Sequence, residues 1–168
     1  SLDLSLLDGK NGFRLDGEDE FNWLGGSVSS AGDVNDDGFD DVIIGAIGSN
    51  QNAPDSGSSY VVFGNAGGFN ASMNLSDLDG NNGFRLDGEG INDSLGTSIS
   101  NAGDVNGDGF DDVIVSAPDA DSNGYDSGSS YVVFGKSSGC SAAIDLSSIN
   151  GKNGFRLDGT KAYDEAGS

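Results

Sequence analysis

Residues 11–17 read Asn-Gly-Phe-Arg-Leu-Asp-Gly, and the same seven residues return at 82–88 and at 153–159. Each interval is 71 residues. Two further blocks keep that interval: Gly32-Asp33-Val34-Asn35 returns as Gly103-Asp104-Val105-Asn106, and Tyr60-Val61-Val62-Phe63-Gly64 as Tyr131-Val132-Val133-Phe134-Gly135. A fixed period without insertion marks a repeated supersecondary unit. The 168 residues divide into the outer strand of a preceding unit at 1–17, a first full unit at 18–88, a second at 89–159 and the start of a third at 160–168. No linker separates the units, and the ends read as cut points.

Within each unit the apolar residues fall in four short runs. Strand one is expected at 27–30 and 98–100, strand two at 41–45 and 112–116, and strand three at 59–63 and 130–134. The continuous Tyr-Val-Val-Phe run of strand three lacks a polar face, which predicts cover on both sides. Strand four, at 13–16, 84–87 and 155–158, alternates Phe and Leu with Arg and Asp, which predicts one buried and one wet face. No stretch repeats its apolar residues at helical spacing over ten positions, so the class is all-β. Four antiparallel up-and-down strands in a period of 71 describe a β-propeller blade, two of them complete, with partial strands on either side. An immunoglobulin-like sandwich needs about seven strands in ~100 residues, more than one unit supplies.

Composition narrows the function. Seven Lys and Arg stand against 28 Asp and Glu, a net charge of −21 that repels nucleic-acid phosphates and anionic lipid. No apolar run nears the ~20 residues that span a bilayer, and the start lacks the pattern of a signal peptide, so a soluble chain without membrane insertion is expected. Cys140 is the one cysteine, which leaves no intrachain disulfide or thiol cluster. Its counterpart one unit earlier is Phe69, which predicts a partly buried apolar role.

The loop between strands one and two carries the chemistry. It reads Asp33-Val34-Asn35-Asp36-Asp37-Gly38-Phe39-Asp40-Asp41, and again Asp104-Val105-Asn106-Gly107-Asp108-Gly109-Phe110-Asp111-Asp112. Side-chain oxygens fall at loop positions 1, 3, 5 and 9, with glycine at 6. Calcium takes six to eight oxygens at ~2.3–2.6 Å, and alternate residues of a tight loop supply them. The expected ligands are Asp33, Asn35, Asp37, the Phe39 carbonyl and Asp41, then Asp104, Asn106, Asp108, the Phe110 carbonyl and Asp112, giving two Ca2+ per chain. Gly38 and Gly109 permit the turn, at positive φ. An EF-hand or a dockerin needs an acid at position 12, where this chain has Ile44 or Val115 inside a strand. A metal-free Asp/Gly turn is the alternative, against which the second copy of the full pattern weighs.

Together with Leu24-Gly25, Ser27-Val28-Ser29 and Gly45-Ala46-Ile47, then Leu95-Gly96 through Ser116-Ala117-Pro118, these loops resemble the FG-GAP repeat of integrin α-chain propellers. Leu stands for Phe in the first signature, Ile47 for Pro in the first unit and Ser116 for Gly in the second. The resemblance covers both units, and bacterial and cyanobacterial arrays of similar repeats share their near-identity. It implies an extracellular or cell-surface adhesion or recognition module, and the near-identical copies allow several chains to close a propeller ring as a homo-oligomer.

The remaining features are weighed against plainer roles. Arg14, Arg85 and Arg156 each stand two residues before an aspartate, as in a strand-surface ion pair; a repeated anion site is less economical. Asp36, Asp40 and Asp111 are expected to face outward, attracting calcium without binding it. No His, Cys–His pair, Gly-x-Ser-x-Gly elbow or phosphate loop supports an enzyme. A fragment of a secreted hydrolase and a lectin-like carbohydrate module stand as alternatives to a non-catalytic adhesion module. In an up-and-down blade, the four-to-one and two-to-three loops emerge opposite the calcium hairpins. Those loops vary between copies and carry Phe21, Trp23 and Tyr125, the expected anchors for a protein or glycan ligand. Alternatively, Trp23 wedges between blades.

Overall fold

The computed structural model describes residues 3–137 and 140–168. In chain order its strands are β1 (Arg14–Asp16), β2 (Leu24–Gly32), β3 (Asp41–Ala46), β4 (Ser58–Val62), β5 (Ser72–Asn74), β6 (Gly83–Asp87), β7 (Ile99–Gly103), β8 (Asp112–Ala117), β9 (Ser129–Val133), β10 (Ala143–Asp145) and β11 (Gly154–Asp158). β2, β3, β4 and β6 pair antiparallel in up-and-down order, and β7, β8, β9 and β11 repeat that sheet. These are propeller blades, and the sheets form no closed ring.

Each expected strand is present, yet the blade has one element more than the sequence suggested. The segment after strand three contains a three-residue strand that pairs parallel with a strand four: β10 with β6 in the register Arg85↔Ala143, and β5 with β1 in the register Arg14↔Ser72. The outer strand of one unit is thus clasped by the loop of the next. Three residues are too few to display a period of two, which is why alternation did not announce them. A short 3-10 turn follows each, Leu75–Asp77 and Leu146–Ser148, capped by the side chains of Asn74 and Asp145. The buried Leu75 and Leu146 begin these turns.

β4 is buried along its whole length, as its Tyr-Val-Val run predicts. β6 departs from expectation: only Arg85 keeps partial exposure, because blade two covers one face and the ion pairs of Arg85 cover the other. The main core lies between the blades. Ala31, Val34, Ile43, Val61, Phe63, Phe84 and Leu86 from the first pack on Leu95, Val113, Val115, Tyr131 and Val133 from the second. Each fully buried aliphatic or aromatic side chain there contributes about 1.5–3 kcal/mol. The half-buried Cys140 packs on the same core, with its thiol pKa pushed up by burial.

The blades approach closely at a glycine of β3. A Cβ on Gly45 would come within 2.2 Å of the Gly96 carbonyl oxygen and 2.3 Å of Ser27 Oγ. This contact leaves no room for a side chain at position 45 where the blades meet.

Candidate metal centres and the opposite cleft

Each hairpin begins where the inner strand ends and closes on the first residue of β3 or β8. Asp33 receives the N–H groups of Asp37 (3.0 Å) and Gly38 (2.9 Å), Asn35 Oδ1 that of Asp37, and Asp37 that of Phe39. Asp104, Asn106 and Asp108 repeat this with Asp108, Gly109 and Phe110. Asp and Asn side chains that accept from the backbone a few residues on fold a loop around themselves, so the side chains at positions 1, 3 and 5 bend back on the loop backbone. Gly38 (φ 88°) and Gly109 (φ 96°) adopt the left-handed turn expected of position 6.

Position 9 differs from the rest. Asp41 and Asp112 are buried at the strand starts. Asp41 accepts from Val34 N (2.9 Å) and Gly64 N (2.8 Å), and Asp112 from Val105 N and Gly135 N (both 2.9 Å). Burial raises the Asp41 carboxyl to about 6 and the Asp112 carboxyl upward, against those N–H bonds; the neighbouring Asp37 and Asp33, or Asp108 and Asp104, add to the rise. The donors to both carboxylates are backbone amides. Among the described residues, no three acidic side chains converge there as a finished cage, since the loop carboxylates are occupied by backbone N–H groups. The donor chemistry nonetheless suits a hard divalent cation: all-oxygen, with three carboxylates in each set and one of them buried.

On the opposite side, Phe21, Trp23 and Tyr125 line a single cleft of about 620 Å³ together with Ile91, Asp55 and Asp126. Trp23 is 68% exposed, so it is not wedged between the two blades described. Its backbone and that of Phe21 are left-handed (φ 54° and 68°), holding both rings out of the core. Asp126 has its pKa raised by desolvation and then by Asp119, Asp121 and Glu165, which marks the cleft as strongly acidic.

The FG-GAP repeat model matches residues 25–62 and 95–133. Both blades carry an FG-GAP repeat. Integrin alpha pat-2 of Caenorhabditis elegans is 35% identical over 101 residues, covering 60% of this chain and 8% of that protein. Integrin alpha-2 of Mus musculus is 33% identical over 94 residues, 56% of this chain and 7% of that protein. The chain therefore spans less than a tenth of either relative.

Three acidic residues have contacts that the sequence did not indicate. Asp111 does not face outward as expected: its Oδ2 accepts from Asp33 N (3.0 Å), and its own N–H donates to Asp33 O (3.1 Å). It ties one FG-GAP hairpin to the next, a role invisible without the neighbouring blade. Asp36 and Asp40 are exposed as expected. Glu18 and Glu89 were also missed. They reach the arginines of strand four, Arg85 at 3.0 Å and Arg156 at 3.4 Å, from 67 residues away in sequence. The expected pairs of Arg14 with Asp16, Arg85 with Asp87 and Arg156 with Asp158 are all present.

Proposed function

We infer that the chain is a calcium-binding, non-catalytic β-propeller module of an extracellular or cell-surface adhesion or recognition protein. Calcium would be held by Asp33, Asn35, Asp37, the Phe39 carbonyl and Asp41, and by Asp104, Asn106, Asp108, the Phe110 carbonyl and Asp112. The bound ion supplies charge compensation and rigidity. The observation that supports this reading is the burial of Asp41 and Asp112 at the ends of two all-oxygen hairpins, each under repulsion from two further loop carboxylates. A divalent cation removes that repulsion. At ~1 mM calcium and a dissociation constant on the order of 10 μM, each site stabilises the fold by ~2.7 kcal/mol. Isothermal titration should then count two ions per chain, and chelation should lower the melting temperature by about 10 °C or more. A melting curve indifferent to chelator removes the calcium part of the proposal.

The ligand-binding face is placed opposite the hairpins, at Phe21, Trp23 and Tyr125, with a protein or glycan as partner. Calcium then acts through the rigidity of the strands and makes no bridge to the ligand. Adhesion lost in Trp23→Ala and Tyr125→Ala at unchanged melting temperature supports this placement; loss confined to Asp36→Ala and Asp40→Ala reverses it. The exposed aromatics beside Asp55 and Asp126 also favour a second reading, a lectin-like module, since rings stack on sugars while carboxylates accept from hydroxyls. Glycan-array binding that persists without calcium distinguishes it from protein adhesion.

A further inference from the structure

The two hairpins are joined to each other through backbone hydrogen bonds at the junction of the blades. Asp111 stands at position 8 of the second hairpin, between the Phe110 carbonyl and the Asp112 carboxylate assigned to its ion. Its Oδ2 accepts from Asp33 N (3.0 Å) and its own N–H donates to Asp33 O (3.1 Å), so it grips the first ligand residue of the first hairpin on both sides of its Cα. A second path runs beside this one. Asp41 accepts from Val34 N (2.9 Å), Val34 O accepts from Lys136 N (2.9 Å), and the preceding Gly135 donates its N–H to Asp112 (2.9 Å). The buried carboxylates that close the two loops are thus connected through the peptide groups of Val34, Gly135 and Lys136. The close approach depends on glycine: a Cβ on Gly32 would strike the Asp111 carboxylate, and one on Gly135 the carbonyl oxygens of Asp111 and Val34.

We propose that Asp111 is a positioning residue that couples the two hairpins, so that calcium at either one raises the affinity of the other. The proposal rests on the calcium reading of the hairpins and adds to it an interaction between the sites. Phe110 and Asp112 flank Asp111, so holding them on an ion holds the carboxylate and the amide that grip Asp33. Holding Asp33 and Asp41 acts in reverse through the same bonds. The first ion therefore orders backbone that the second would otherwise have to order, and binding becomes positively cooperative. Couplings of this kind change affinity by about 5- to 150-fold, by the same factor in both directions. Direct repulsion between the ions opposes the effect and is screened by salt, whereas the hydrogen-bonded path persists.

The test follows each hairpin of the whole chain separately, through the amide resonances of Gly38 and Gly109 during a calcium titration at ~150 mM salt. In the unsubstituted chain the two signals should move together, with a sigmoidal dependence on calcium. Asn106→Ala with Asp108→Ala disables the exposed tip of the second hairpin and should lower the affinity reported by Gly38 about 5-fold or more; Asn35→Ala with Asp37→Ala should lower that reported by Gly109 by the same factor. Asp111→Ala should leave two ions bound and shrink this coupling factor about twofold or more, because the Asp33 amide loses its acceptor while the Lys136 path remains. Asp111→Asn keeps an acceptor for that amide and should keep the coupling, which separates positioning from the charge of the residue. The remaining amide resonances report whether each variant is folded. Hairpins that fill independently in the unsubstituted chain, coupling undiminished in Asp111→Ala, or coupling lost in Asp111→Asn would each overturn the proposal and leave the calcium reading intact. Glycine signals indifferent to calcium would overturn both.

Discussion

Three arginines in identical heptapeptides have three different environments, and their side chains show what a residue's role owes to its surroundings. Arg14 is 68% exposed beside Asp16 alone, whereas Arg85 is 20% exposed between Asp87 (2.6 Å) and Glu18 (3.0 Å). Removing one partner of a buried pair leaves the others uncompensated, while an exposed pair is screened by solvent. Arg85→Ala should therefore destabilise by about 2 kcal/mol or more, and Arg14→Ala should leave the melting temperature unchanged; thermal denaturation of both variants checks the contrast. Asp93 offers a second comparison, because the first unit has Asn22 at the equivalent buried position. Burial, then repulsion from Glu89, Asp121 and Asp119, raises the Asp93 pKa, against the Gly90 N–H bond. The folded chain thus binds this proton more tightly than the unfolded chain, and the residue's contribution declines as pH rises from the ordinary carboxylate value of 3.8 through its raised value. Asp93→Asn should raise the melting temperature at pH 7 by up to about 2–4 °C. That advantage should vanish below about pH 3, where the wild-type carboxyl is protonated in both states; melting curves at the two pH values decide it.

At the scale of the element, the blade depends on where strands can touch. Gly45 in β3 lies against the backbone of Gly96 at the head of blade two, with no room for a methyl group. Its counterpart in blade two is Ser116, whose Oγ accepts from Ser98 N at 3.0 Å, so a side chain is accommodated there but not at 45. Gly45→Ala should cost about 1–3 kcal/mol through overpacking, and it should do so by separating the blades. Faster amide exchange in β2 and β7 than in β4, where each blade is paired on both sides, would locate the damage. Equal loss of protection across all strands would show that the contact does not govern blade separation. The parallel clasp of β6 by β10 is the other device at this scale, and it joins consecutive units through backbone hydrogen bonds that no side-chain pattern encodes.

Across the whole molecule, charge opposes compaction. A net charge of −21 on 168 residues repels itself, and the acids concentrate in the hairpins and in the opposite cleft. In chelator, raising sodium chloride from ~10 mM to ~300 mM shortens the Debye length from about 30 Å to about 6 Å and should raise the melting temperature. With calcium present the same salt should matter less, because the hairpin charges are already neutralised. A salt response identical in the two conditions would separate calcium from the electrostatic stability of the fold.

The sequence by itself determined the period, the four-strand unit, the class of the fold and the turns of both hairpins. Those features are local: β-branched runs choose extended backbone, and Asp, Asn and Gly at fixed offsets choose the turn. It could not show that strand four is clasped by β5 or β10, because parallel pairing of three residues leaves no periodic trace. Nor could it show that Asp111 bridges two hairpins, that Glu18 and Glu89 reach arginines 67 residues away, or that Trp23 stands clear of the blade junction. Identical residues such as Val34 and Val105 differ only in what lies against them. Burial is a property of neighbours brought together from distant parts of the chain, and for that reason only the tertiary structure decided it.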